Sequence, residues 1–393
     1  MTPGARLQAA IEILDRVIAA ARDGGAAADA IVRRELAARR YAGSHDRRAI
    51  TEWVFRAIRH CAERPPSGRA ALLALIEAEE PALLAEFDGG PHAPTPPDPS
   101  EPRATSGRAP RWLIRRLEAT LGRQGAAAFL AASLERAPLD LRVHRLRAPD
   151  AGAVAAQLPF ATEPVRGLPV RLPWALRAPS GSPVEATSAY REGLVEVQDA
   201  GSQAVVAWCA ARPGERVVDL CAGAGGKTLA LGVDMAGEGR LIACDVDRER
   251  LARLHPRAER AGVAVETRLL NPPREADALQ DLEGRADLVL VDAPCSGTGT
   301  WRRAPELRWR LTPRRLAAFA RLQDRLLDLG ARLVRPGGRL VYAVCSVLAD
   351  EGPARAAAFL SRHGGWRAGE RHLLDPARHG CDGFFVAIFR RHG

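Results

Sequence analysis

Two cysteines and an aspartate are the residues of this chain best suited to covalent chemistry. Asp292 and Cys295 lie in VDAPCSGTGT (Val291–Thr300), and Cys345 lies in RLVYAVCSV (Arg339–Val347). Each stretch opens on an apolar run, the pattern of a buried strand reaching its carboxyl end. Pro294 cannot continue a strand ladder, so the chain turns there. In open α/β sheets ligands bind at the carboxyl ends of strands, which places both thiols and the carboxylate in one expected pocket. Such a set suits attack on a pyrimidine. C5 of cytosine is too poor a nucleophile to take a methyl from a sulfonium unaided; a thiolate adding at C6 makes C5 enamine-like, and a carboxylic acid at N3 stabilises the adduct. A base must then remove the C5 proton so that the thiol can leave. The ordinary role of a single cysteine is that of a small buried hydrophobe, and Cys61, Cys209, Cys244 and Cys381 are assigned it.

A second motif precedes these. The run DLCAGAGGKT (Asp219–Thr228) is a Gly-rich turn expected between a strand and a helix, where backbone N–H groups face a ligand. It is not a phosphate-binding P-loop, because the first glycine of that motif would fall at Cys221. It is not the dinucleotide fingerprint either, because a run started at Gly223 would need glycine at Thr228. Asp245 ends the next expected strand in ACDVD, where a carboxylate can accept both hydroxyls of a ribose. Together they fit an adenosine-containing ligand such as S-adenosylmethionine. Lys227 is the only lysine among 57 basic residues. An ammonium is a compact point charge and a guanidinium a wide fork, so the turn is read as having room only for the former.

The elements that must carry these residues follow from periodicity. Residues 1–88 read as helices, with Leu7, Ile11, Leu14, Val17 and Ile18 at helical spacing. Residues 89–110 are rich in Pro, Gly and Ser and are expected to be a linker. Residues 111–197 read as a helix followed by a small α+β subdomain. Residues 198–393 alternate strands and helices, which implies a doubly wound, mostly parallel sheet. The expected strands are Arg216–Ala222, Arg240–Val246, Ala264–Leu270, Ala286–Asp292, Arg339–Val347 and Phe384–Arg391, the last as an antiparallel edge.

Composition narrows the classes. The seven cysteines include no C-x-x-C pair, against zinc ribbons and disulfide frameworks and in favour of reduced thiols in a cytoplasmic enzyme. No apolar run approaches a membrane span, and no signal peptide is evident at the start. The formal net charge of +10, from 57 basic against 47 acidic residues, points to a polyanion, most often nucleic acid. Arg33, Arg34, Arg39, Arg40, Arg47 and Arg48 form an expected basic cluster, read either as an RNA-facing surface or as a solvated face.

The motifs DLCAGAGGKT, ACDVD, VDAPCSGTGT with WRRAPELRW, YAVCSV and the terminal CDGFF resemble the RsmB/Nop/Sun family of RNA cytosine-5 methyltransferases from Glu192 onward. The helical start looks like the NusB-like domain of the bacterial ribosomal member. The resemblance implies a class I S-adenosylmethionine-dependent methyltransferase fold with Cys345 as nucleophile and Cys295 assisting product release. It also implies Asp292 at the base and cofactor. Around S-adenosylmethionine it places Cys221, Ala222, Gly223, Ala224, Gly225, Gly226, Lys227 and Asp245. Asn271 aligns where the family has an aspartate at the adenine, and Ala224 where it has proline. The expectation is a monomeric, metal-free enzyme methylating a cytosine of small-subunit ribosomal RNA. The alternatives are the same chemistry on tRNA and a non-catalytic RNA-binding assembly factor. A DNA cytosine-5 methyltransferase is disfavoured, because those enzymes use the cysteine of the PC motif as nucleophile.

Overall fold

The computed structural model describes all residues, 1–393, in two units. The first comprises Met1–Glu135 together with Thr300–Thr312, and the second comprises Arg136–Gly299 and Pro313–Gly393.

The first unit is helical. Its helices are α1 (Pro3–Asp23), α2 (Ala28–Ala38), α3 (Ser44–His60), α4 (Gly68–Glu79) and α5 (Arg111–Ala132). The Thr2 hydroxyl caps α1 by accepting from the Ala5 N–H, and Ser67 caps α4 through Ala70 in the same way. Leu7, Ile11, Leu14, Val17 and Ile18 are all buried, as their spacing requires, in a core shared with α2, α3 and α4. This helical region fits the NusB-like expectation.

Residues 300–312 complete that core. Trp309 is buried in it and its indole N–H donates to the Cys61 carbonyl. The Arg308 guanidinium, almost wholly buried, donates to the carbonyls of Ile58 and Arg108, and Trp301 packs on Phe129 with ring centres 5.8 Å apart.

Two expectations are corrected here. Residues 89–110 are not a spacer that buries little. Ala104 and Ala109 are buried, Arg69 binds Glu101 and the carbonyls of Thr95 and Pro96, and the backbone of this stretch bonds to Ala62, Ala70 and His60. Fixed proline torsions lower the entropy of laying such a strap down. The helix starting at Arg111 groups with the first unit, so 111–197 is divided near residue 135.

The second unit starts with a small antiparallel sheet of β1 (Leu139–Val143), β2 (Glu163–Pro164), β3 (Ala175–Ala178) and β4 (Val195–Val197), in the order β2-β3-β1-β4. The large sheet has β5 (Arg216–Asp219), β6 (Arg240–Asp245), β7 (Glu266–Leu269), β8 (Ala286–Asp292), β9 (Val334–Val344), β10 (Trp366–Leu374) and β11 (Phe384–Arg391). Its order is β10-β11-β9-β8-β5-β6-β7, with β5 to β9 parallel and β11 antiparallel to both neighbours. This is the doubly wound sheet expected, with apolar clusters on both faces. The last strand is antiparallel as expected but does not form the edge. It is inserted between β9 and β10, and β10 escapes sequence reading because most of its residues are exposed. The chain order reverses between β5 and β8, and a crevice forms at such a point. Asp219, Asp245, Asp292 and Cys345 sit at or just past the carboxyl ends of β5, β6, β8 and β9.

Candidate active site

The site is built on the ends of the four central parallel strands. The apolar runs of β8 and β9 are fully buried up to their last residues, which fixes where the chain emerges. Past β8 the chain turns at Ala293–Pro294, and past β9 it turns at Cys345–Ser346. Cys295 Sγ and Cys345 Sγ lie 3.2 Å apart, one thiol donating to the other. The hydrogen bond to Cys345, together with burial, pushes the Cys295 thiol well above its ordinary range, and the charge of Glu351 adds to this.

Asp292 and Lys227 form an ion pair, Nζ to Oδ2 2.7 Å. The ammonium also lies 5.1 Å from the centre of the Phe384 ring. Burial works against its charge, but Asp292 outweighs burial and holds the lysine above its ordinary value. Cys345 contributes to the same field. The only lysine of the chain is thus fixed between the Gly-rich turn and the carboxylate beside Cys295.

The turn after β5 is shaped by glycine at two points. Gly223 has φ +55° with open space where a Cβ would be. Gly225 has φ +83°, and a Cβ there would strike Leu254. The Gly223 N–H donates to Asp245 Oδ2 at 2.7 Å, and the Asp247 N–H donates to Asp245 Oδ1 at 2.8 Å. Arg257 donates to the Ala224 carbonyl. Below the turn, the Thr228 hydroxyl donates to Asp219 Oδ2 at 2.7 Å, while Asp219 Oδ1 is buried with no partner. Burial raises the Asp219 carboxyl to about 7. Cys221 and Ala222 line the turn half-buried, and burial pushes the Cys221 thiol up. Gly226 opens the helix Gly226–Asp234, which carries Lys227 in its first turn.

Cys221–Lys227, Asp245, Asp292, Cys295 and Cys345 are therefore gathered along one edge of the sheet. Asn271 lies two residues past the end of β7, exposed, with its own carbonyl accepting from the Arg274 N–H. Cys61, Cys209, Cys244 and Cys381 are completely buried, in keeping with the packing role assigned to them.

Sequence reasoning missed three residues: Asp219, Gln323 and Glu351. The Ser296 N–H donates to Glu351 at 2.8 Å, as does the Ser296 hydroxyl. Gln323 donates to the Pro294 carbonyl at 3.0 Å and to Glu351 at 3.2 Å. A signal was available for Gln323, a polar residue on the apolar stripe of a helix with Leu322, Leu326 and Leu327.

Residues 206–390 match the family described as 16S rRNA methyltransferase RsmB/F. The ribosomal RNA small subunit methyltransferase B of Citrobacter koseri is 36% identical over 293 residues, which is 74% of this chain and 64% of that protein. Its counterpart from Salmonella arizonae is 35% identical over 71% of this chain and 65% of its own length. The matches thus span somewhat under two thirds of these relatives. The fold of PH0851 superposes with a TM-score of 0.75 at 23% identity, covering 98% of this chain and 99% of that one. A methyltransferase homologue from Pyrococcus horikoshii reaches 0.62 at 25% identity over 72% of this chain and 95% of its own. No helix is long and apolar enough to cross a membrane. With its motifs gathered on the strand ends of a doubly wound sheet, residues 206–390 form a domain that matches the RsmB/F methyltransferase family.

Proposed function

We propose that the protein transfers a methyl group from S-adenosylmethionine to C5 of a cytosine in small-subunit ribosomal RNA. The observation that carries this reading is the pair of thiols 3.2 Å apart beside the Lys227–Asp292 ion pair. The donor fits the turn. Gly223 leaves room for close approach, Asp245 keeps lone pairs for ribose hydroxyls, and Asp219 Oδ1 is a buried acceptor still lacking a donor. Asn271, at the adenine end, offers a neutral acceptor. When bound, the donor supplies an electrophilic methyl on a sulfonium.

The chain's own groups do the rest. The cytosine must leave any stack to expose C6 to a thiol. Cys345 Sγ forms a bond to C6, and the proton it gives up passes through Asp292 to N3. The electron pair of the C5–C6 double bond becomes available at C5 and forms the bond to the methyl. A solvent base then removes the C5 proton, the Sγ–C6 bond breaks as the Cys295 thiol gives its proton to the departing Cys345 sulfur, and the N3 proton returns to Cys295. The products are 5-methylcytosine, S-adenosylhomocysteine and one proton. The surroundings of the two thiols differ: Lys227 lies within electrostatic reach of Cys345, while the bond to Cys345, burial and the charge of Glu351 hold the Cys295 thiol well above its ordinary range.

The +10 charge suits an RNA partner, with Arg33 and Arg34 exposed on α2. Arg39 and Arg47 of the same cluster are occupied, by Glu12 and Glu35 and by the Ala42 carbonyl. Free thiols suit a reducing compartment, the cytoplasm, and a metal-free monomer is sufficient for this chemistry. Incubation with methyl-labelled donor and purified 30S ribosomal RNA or tRNA, followed by nucleoside analysis, tests the proposal. Label in 5-methylcytidine from ribosomal RNA is expected. Label confined to tRNA would move the substrate, and no label in either would remove the activity.

A further inference from the structure

Beneath the thiols lies a cluster of buried polar side chains that the chemistry above does not use. Glu351, Gln323, Ser346 and Thr298 are fully buried and Ser296 nearly so. The Glu351 carboxylate has no ion-pair partner. It accepts instead from the Ser296 N–H, the Ser296 hydroxyl and the Gln323 amide. Burying a carboxylate without a cation is costly, and a hydrophobic pair would fill the space without that cost. The donors show what the arrangement holds. Gln323 binds the carbonyl of Pro294 and Glu351 binds the N–H of Ser296, so the peptide groups on both sides of Cys295 are pinned. The hydroxyls of Ser296 and Thr298 reach Ser346, the neighbour of Cys345, at 3.3 and 3.0 Å. The Thr298 hydroxyl also accepts from the Val347 N–H, and the Gly299 N–H donates to the Cys345 carbonyl.

We propose that Glu351 is a positioning residue for the thiol pair, holding with Gln323 the Cys295 segment in register with the Cys345 segment and placing a negative charge on the Cys295 side. The consequence is an unequal pair. Burial and the bond to Cys345 hold the Cys295 thiol well above its ordinary range, while Lys227 lies within reach of Cys345.

The consequence for methyl transfer rests on the function proposed above, but the inequality of the thiols does not. The test therefore starts with no RNA present. In the full-length wild type, iodoacetamide alkylation followed by mass spectrometry across a pH series is expected to modify Cys345 faster and at lower pH than Cys295. Glu351→Gln keeps an acceptor for the Ser296 N–H and removes the charge. The rate ratio of the two cysteines is expected to fall about tenfold, with S-adenosylhomocysteine affinity within about twofold and a cooperative melt retained. Gln323→Ala is expected to reduce the ratio less, and it carries the test on its own if Glu351→Gln does not fold. On an RNA substrate, Glu351→Gln is expected to lower kcat by roughly a hundredfold with KM unchanged, the size of a small displacement of reacting groups. Unchanged alkylation ratios and pH profiles in both Glu351→Gln and Gln323→Ala would overturn the proposal. A wild type that shows unequal thiols but methylates no RNA would instead overturn the function and leave Glu351 in its role.

Discussion

The chain segments after β8 and β9 reach the same 3.2 Å contact by different routes. After β9 the chain passes Cys345 and, within eight residues, enters the helix Pro353–Arg362, never leaving its unit. After β8 it passes Cys295 and leaves at Gly299 for the helical unit, returning at Pro313. The thiol on the short route is fixed by its own strand. The thiol on the long route is followed by a segment whose packing belongs elsewhere, so strand geometry alone cannot place it. This is where Gln323 and Glu351 are found, on either side of Cys295. Two residues that must meet need not be positioned by the same means.

Replacing the thiols one at a time gives the largest effects. Cys345→Ala is expected to lower methyl transfer by roughly four to six orders of magnitude, the range for removing a nucleophile. No denaturation-resistant complex with 5-fluorocytosine RNA should form on a gel. A surviving complex would exchange the roles of the two loops. Cys295→Ala is expected to lower turnover by about 10²–10⁴, the range of a proton-transfer group, while the covalent complex accumulates. Normal turnover without a shifted band would leave Cys295 with packing alone.

The long route can be disturbed at its far end. Trp309→Ala removes a buried indole from the helical core and is expected to destabilise that unit by about 3–5 kcal/mol in denaturant melts. If the clamp at Cys295 is sufficient, the alkylation ratio of the two thiols stays at the wild-type value. A ratio that collapses in this variant would show that the outgoing segment, not the clamp, places Cys295. Removing residues 1–110 is a poorer experiment than sequence alone suggests, because Trp309 and Arg308 would lose the partners that bury them.

Smaller effects probe the cofactor end of the edge. Asp219 is raised from 3.8 to about 7 by burial. Its unfolded form ionises first, so stability falls as pH rises from about 4 to about 7 and is level above that. Asp219→Asn keeps an acceptor for Thr228 and is expected to flatten that slope and raise the melting temperature at pH 8. The gain should be of order 1–3 kcal/mol, the cost of a poorly satisfied buried group. A melting temperature that drops at pH 8 would show that the charge is needed. Asn271→Leu is expected to weaken S-adenosylhomocysteine binding by less than about 1.5 kcal/mol, the net worth of one neutral hydrogen bond. Titration calorimetry measures it, and unchanged affinity would move the adenine contact away from Asn271.

The same contrast explains what could be read from the residues alone. β5, β6, β8 and β9 are continuous apolar runs bounded by charge, and both cysteines follow from them. The Gly-rich turn and Asp245 were legible because glycine and an acidic residue at strand ends are local signals. β10 was not, because WRAGERHLL is exposed at five successive residues, Arg367–Arg371, and has neither an apolar run nor an alternation. Neither was the fate of Thr300–Thr312, where two tryptophans lie among arginines and the burial of Arg308 depends on carbonyls some 200 residues away in the chain. Glu351 carries no local signal at all. Its role exists only through Ser296 and Gln323, which are 55 and 28 residues distant.

The excursion of Thr300–Thr312 also sets a timetable. When residue 135 has been synthesised, the helical unit has all its long helices but lacks Trp301, Arg308 and Trp309. Those residues emerge only after most of the strands of the second unit, through β8, have been made. At ordinary translation speeds of about 5–20 residues per second, the wait is roughly 9–35 s. For that interval the nascent chain carries a helical core with its closing side chains missing, and a ribosome that stalls before residue 312 releases a protein with neither unit finished.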